Sequence, residues 1–237
     1  MLIGGLIVGP WGVYRLLMKR WRWLTGERAF TLFILLLGAG ALVVAAHDPA
    51  LRPQVVGLHA TPSWVAAYAL SVLIGGIGCY GLGRGGLGAP VSRATTLPGR
   101  RVMQWMGVAV VMGLVEEYYF RGVWGTLGGA LLANLLYVLL LSPRRLHAWE
   151  LLNALTLFGF GLSLSWAYVV THSLAIPAGL HTAAYFVYHR WPRILAGRSP
   201  RTWGYWMGGE DPALGIGPVA VYWVAAWLSV RVVAGWS

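Results

Sequence analysis

Charge is what this 237-residue chain has least of: 11% of its residues are Asp, Glu, Lys or Arg, against roughly 25% in an ordinary soluble domain. With 58% hydrophobic residues and a mean hydropathy of +0.65, that scarcity excludes a soluble enzyme and a disordered chain. A single cysteine, Cys79, excludes an internal disulfide, and with it a secreted disulfide scaffold and a cysteine-based metal site. There is no His-Glu-x-x-His run and no histidine and acid pair at a recognisable ligand spacing, so no catalytic zinc and no other cofactor is expected. Glycine-rich stretches such as Gly81–Gly86 lack a phosphate-loop lysine, which argues against a nucleotide site. The apolar runs do not alternate with polar residues, so a β-barrel is excluded as well.

What the chain does have is a series of apolar runs, several of about 18 to 23 residues, the length that crosses about 30 Å of hydrocarbon as helix. Candidate spans are 29–46, 63–82, 102–124, 130–142, 151–170, 173–189 and 214–235. The fourth is short and follows Gly125-Thr126-Leu127-Gly128-Gly129; it is expected to be tilted, half-spanning or fused with its predecessor. Residues 2–18, interrupted by Pro10 and Arg15, lack a basic start and a small-residue cleavage site. They read as an interfacial helix or one more span. The expected fold is therefore all-α: a polytopic integral membrane helical bundle of about seven transmembrane helices, within a range of six to eight, forming a single membrane domain over 1–237.

The formal net charge of +11 comes from basic residues dispersed between the apolar runs, not gathered on one face, so no nucleic-acid partner is expected. Lys19, Arg20, Arg22 and Arg28 precede the first of these spans. Arg84, Arg93, Arg100 and Arg101 follow the second, Arg144 and Arg145 the fourth, and Arg190, Arg193, Arg198 and Arg201 the sixth. Alternate crossings keep every cluster on one side, the cytoplasmic one. The bilayer is the first expected partner, and a bacterial inner membrane the expected location.

Only seven acids exist, and five of them, Glu27, Asp48, Glu150, Glu210 and Asp211, fall in loops or at a helix start. The other two, Glu116 and Glu117, sit in Met112-Gly113-Leu114-Val115-Glu116-Glu117-Tyr118-Tyr119-Phe120-Arg121-Gly122, about 22 Å of helix rise beyond Arg101. An ionisable group near the bilayer centre costs about 2.5–3.5 kcal/mol on insertion scales, so adjacent acids there need compensation and point to a functional site. Glu117 and Arg121 share a helix face at the favourable i, i+4 order, whereas Glu116 points about 100° away and has no local cation. The plainer alternative is that both acids only tie helices together.

Glu-Glu-x-x-x-Arg in an apolar helix resembles the signature of the CPBP family, the CAAX proteases and bacteriocin-processing enzymes, which are glutamic-type intramembrane endopeptidases. A second likeness lies in Gly179-Leu180-His181-Thr182-Ala183-Ala184-Tyr185-Phe186 with Ser173-Leu174-Ala175-Ile176-Pro177 before it. That stretch is similar to the family's late segment, where a proline-containing helix carries a functional histidine. The resemblance spans about 102–190, the expected catalytic core. It implies that Glu116 activates water, that Glu117 and Arg121 support it, and that His181 holds the water or the oxyanion. Tyr185, one turn from His181, is placed to donate a hydrogen bond through its phenol. The implied partner is a membrane-anchored protein or peptide, cleaved near the bilayer midplane.

Two positions depart from the family pattern. Its Phe-x-x-x-His motif corresponds to Tyr137-Val138-Leu139-Leu140-Leu141, with leucine where histidine belongs, and His147 follows six residues later. The late motif commonly has Asn or Asp where Tyr185 stands. They motivate a second reading, a catalytically degenerate member acting as membrane scaffold or immunity factor, and a third remains in a small transporter that couples protons through Glu116 and Glu117. His172 is expected at the interface or lining the cavity, His47 and His59 in a solvated outer loop, and Arg231 snorkelling or paired with an acid.

Overall fold

The structure, a computed structural model, describes residues 26–59, 61–87, 99–141, 148–195 and 216–235. Every regular element among them is helical. Seven α-helices follow in order: α1 (Gly26–His47), α2 (Pro62–Leu87), α3 (Gly99–Glu117), α4 (Gly125–Leu141), α5 (Ala148–Thr171), α6 (Ala175–Leu195) and α7 (Ile216–Ala234). A single 3-10 turn (Pro49–Leu51) lies between α1 and α2, and a π-helix (Tyr118–Trp124) joins α3 to α4. The stretch 2–18, His147, Glu210, Asp211 and many of the basic positions that set the expected orientation lie outside the described residues.

The helices coincide with the apolar runs read from the sequence, and the short fourth run has a structural cause. Helix continues unbroken from Gly99 through the π segment to Gly128, and the chain turns at Gly129, whose φ of 77° and ψ of 171° are not helical. The first residues of α4 therefore extend the preceding helix, and the apolar run begins again at Ala130.

Helix α6 is the hub, packing against α2, α3, α5 and α7, while α4 packs on the π segment and α5. On α1 the residues Ile34, Leu37 and Ala41 recur at helical spacing and are buried. The opposite face is apolar too: Leu35, Leu42 and Val43 are exposed, as are Ile77, Met103 and Leu139, each at least 70% accessible. Such all-round apolarity fits a hydrocarbon solvent better than water. Two helices carry apolar windows long enough to cross a membrane, Ala154–Thr171 and Ile216–Ala234; shorter ones are Thr31–His47, Pro62–Gly78 and Gly128–Leu139.

Candidate active site

The site begins where α3 changes its winding. Glu116 and Glu117 are the last residues of α3, and from Tyr118 the backbone adopts i→i+5 bonding, closed by the Gly125 amide donating to the Phe120 carbonyl. Thr126 Oγ1 donates to the Gly122 carbonyl at 2.6 Å, satisfying an acceptor inside the altered turn. The π segment is buried throughout, and the Tyr118 hydroxyl donates to the Leu51 carbonyl at 2.9 Å, tying it to the loop after α1. Single π turns of this kind recur at functional positions of helices.

Helix α6 brings the histidine. The Ala175 amide donates to Ser173 Oγ, and Pro177 falls in the first turn, where a missing N–H leaves no intrahelical bond unmade. Gly113, one turn before the acids on α3, presents a bare backbone: a Cβ there would lie 2.5 Å from Thr182 Oγ1 and 2.9 Å from its amide nitrogen. The absence of a side chain lets α6 close on α3. His181, the neighbour of Thr182, consequently meets both carboxylates.

The imidazole of His181 bridges them. Its Nδ1 lies 2.6 Å from Glu117 Oε1, and Nε2 approaches Glu116 Oε2 to 3.3 Å without the alignment of a hydrogen bond. Glu117 Oε1 also accepts from Arg121 Nη1 at 3.0 Å. Because arginine can only donate, Glu117 serves as the acceptor, and Nδ1–H is the natural donor from the ring. The Tyr185 phenol donates to Glu116 Oε1, and its ring stacks on His181 with an interplanar angle of 8°. Glu116, Glu117, Arg121 and His181 are all buried.

Arg121 is held on all sides. Nη2 donates to Asn134 Oδ1 at 3.1 Å and to the Gly161 carbonyl at 2.9 Å, Nε donates to Ser165 Oγ at 3.3 Å, and the guanidinium carbon lies 4.9 Å from the Tyr137 ring centroid. Asn134 Nδ2 in turn donates to Ser165 Oγ at 2.8 Å and to the Ala130 carbonyl at 2.9 Å. A buried cation with this many partners is the arrangement in which desolvation is offset.

All five residues singled out from the sequence, Glu116, Glu117, Arg121, His181 and Tyr185, thus lie together, contributed by α3, the π segment and α6. His172 does not join them. It is exposed in the turn between α5 and α6, with a left-handed φ of 49°. His47 and His59 are exposed, and Arg231, also exposed, sets its guanidinium 5.6 Å from the Trp227 ring. Among the described residues no cluster of three His, Cys, Asp or Glu has the geometry to hold a metal ion. Sequence reasoning missed Asn134, Ser165 and Phe160, whose ring meets His181 edge-on at 5.3 Å. Asn134 carried a signal, a lone amide within the apolar Gly125–Leu141 helix.

Residues 98–187, well under half of the 237, match the profile of the family described as type II CAAX prenyl endopeptidase Rce1-like. That stretch is similar to the Rce1-like family. No curated protein and no solved structure matches. The matched stretch contains α3, the π segment, α4, α5 and the part of α6 that carries His181 and Tyr185, so every residue of the buried polar centre lies within it. At the level of the family, the activity is that of a CAAX-type endopeptidase, a peptide hydrolase acting on membrane-associated peptides. The match to this profile and the two helices long and apolar enough to cross a membrane both support a membrane location.

Proposed function

We propose that this Rce1-like chain is a glutamate-dependent intramembrane endopeptidase that hydrolyses a membrane-inserted peptide. Glu116 takes a proton from the attacking water and returns it to the departing amine. Glu117, fixed by Arg121, holds the His181 ring by Nδ1, so that Nε2 faces Glu116 and the reacting centre. Tyr185 steadies Glu116 through its phenol. The observation that carries this reading is the single imidazole lying between two buried carboxylates, at 2.6 and 3.3 Å. A group that must exchange a proton within the bilayer needs such partners, since no bulk water is at hand.

The chain acts from a seven-span bundle of one domain, in this reading, in a bacterial inner membrane. Its substrate is the C-terminal anchor of an exported protein or a bacteriocin-related precursor. The test is membrane proteomics of a Glu116→Gln strain. Membrane-anchored precursors accumulate if the proposal holds, and an unchanged precursor set at normal protein abundance overturns it. One observation favours the second reading, a non-hydrolytic scaffold: the Tyr185 phenol already occupies Glu116 Oε1. Cleavage of an anchored peptide by the purified protein in liposomes separates the two.

A further inference from the structure

Around His181, helix α6 is gripped by α3 on one side and by α2 on the other. Toward α2 the contact is between bare backbones: a Cβ on Gly179 would lie 2.5 Å from the Tyr68 carbonyl oxygen, and one on Gly75 would lie 3.0 Å from the Ala183 Cβ. Small residues let helices approach closely but present no ridge that stops one turning against the other. A polar tie crosses the same contact. The Tyr68 hydroxyl, from α2, lies 2.8 Å from Thr182 Oγ1, and Thr182 is buried in the crossing with α3, next to His181. The Tyr68 ring is partly buried and is itself held: Trp64, one turn earlier, stacks on it with centroids 5.5 Å apart and an interplanar angle of 8°. Trp64 Nε1 donates to the Gly57 carbonyl at 3.0 Å, and the same carbonyl accepts from the Leu174 amide at 2.9 Å, just before α6 begins. The two rings of α2 thus fasten α6 at two heights, at its entry and at the residue after His181.

A hydroxyl pair at this point bears on the chemistry because the imidazole must meet two acids at once. Its Nδ1 sits 2.6 Å from Glu117 Oε1, and its Nε2 sits 3.3 Å from Glu116 Oε2. A side-chain tip stands about 5–6 Å from the helix axis, so turning α6 by about 10° carries the ring about 1 Å. Glu117 is anchored by Arg121 and holds Nδ1 by the shorter contact, so the displacement falls on the longer approach to Glu116. Thr182 follows His181 by about 100° around the helix. A restraint on its hydroxyl therefore acts on the rotation that aims the ring. The glycines already supply the close packing, and a hydroxyl taken out of water adds a cost unless it is paired. What the pair contributes is direction.

We propose that Tyr68 is a positioning residue for hydrolysis: through its hydroxyl contact with Thr182 it fixes the rotation of α6 that aims His181 Nε2 at Glu116. This rests on the proteolytic reading of Glu116 and His181. No bond to Tyr68 forms or breaks in the reaction, and its phenol keeps its proton throughout. A misaimed imidazole slows the bound complex and leaves peptide binding as it was.

The test uses the full chain in liposomes with a library of fluorophore–quencher peptides bearing an apolar C-terminal anchor, together with nitrogen NMR of isotope-labelled histidine. Tyr68→Phe keeps the ring and its stack on Trp64 but removes the hydroxyl. It is expected to lose about 10–10²-fold in kcat at unchanged KM. As a readout that packing alone does not move, the His181 nitrogen signal should shift while the other histidine signals stay in place; it is identified by its absence in His181→Asn. Thr182→Ala should lose about as much rate as Tyr68→Phe, and the two losses should not add in the double variant. Thr182→Ser, which restores the hydroxyl, should recover most of the lost rate. Glu116→Gln should be inactive. Full kcat in Tyr68→Phe beside an inactive Glu116→Gln would overturn the role of Tyr68 and leave the hydrolase intact. So would a lower kcat that only follows lost folded protein, with the His181 signal unmoved. No turnover by wild type on any peptide would overturn the hydrolytic reading and this inference with it.

Discussion

Asn134 Oδ1 accepts a hydrogen bond from Arg121 Nη2 at 3.1 Å, so the guanidinium that holds Glu117 is itself held by an amide from a separate helix. Stability should register this dependence. Arg121→Met leaves Glu117 buried without its cation and is expected to cost about 3–5 kcal/mol. Asn134→Ala removes one acceptor and one donor from the same network and should cost about 1–3 kcal/mol. Equilibrium unfolding in detergent micelles measures both, and an Arg121→Met protein as stable as wild type contradicts the picture.

The two acids should part company when each is made an amide. Glu117 compensates Arg121, so Glu117→Gln strands a buried charge and is expected to lower stability by about 3–5 kcal/mol. Among the described residues Glu116 makes no ion pair with Lys or Arg, and one of its oxygens lacks a hydrogen bond. Glu116→Gln is therefore expected to accumulate normally while losing peptide cleavage. Melting curves read beside cleavage rates decide the matter: equal stability losses would mean that the acids do not divide these roles.

Gly113→Ala should open the contact between α3 and α6 that brings His181 to the acids, since the added methyl meets Thr182. A displacement on the order of 1 Å costs about 10²-fold in rate where reacting groups must align. Gly107→Ala, on the same helix with nothing within 4 Å of the added carbon, is the control and should cleave as wild type. The paired cleavage rates test the close approach directly, and equal rates would show that it does not set the geometry.

Gly57 anchors the loop after α1 to the turn before α6. Its carbonyl accepts from both Trp64 Nε1 and the Leu174 amide, and its φ is +85° with a Cβ position 2.5 Å from the His172 carbonyl oxygen. Gly57→Ala combines backbone strain, about 1–3 kcal/mol, with that clash. Gly129→Ala has a similar φ of +77° but open space. Unfolding free energies should fall for both, and for Gly57→Ala the clash with the His172 carbonyl adds to the backbone strain.

Much of the centre was legible in the sequence because charge is costly in hydrocarbon. Glu116, Glu117 and Arg121 stand out in an apolar run, and His181 and Tyr185 are one turn apart, so a shared helix face follows from spacing alone. The break before the fourth run was legible from its glycines. Asn134, Ser165 and Tyr137 were not assigned roles, since an amide, a hydroxyl and a phenol each occur singly in apolar helices for packing reasons. Their grouping depends on how α4 and α5 rotate against Arg121, which the sequence leaves open. The π turn was also unannounced: its i→i+5 bonding appears only once the chain is wound, in residues of unremarkable helical preference.

Asn134, Arg121, Glu117, His181, Glu116 and Tyr185 form one continuous polar thread running through α4, the π segment, α3 and α6, sewn shut beneath aromatic rings. Any molecule that is to touch Glu116 must first loosen a stitch. The phenol of Tyr185 is the outermost one, on a side chain only partly buried. Reach to Glu116 is therefore expected to depend on whether that outer ring can move aside, a motion on the timescale of side-chain and helix fluctuations.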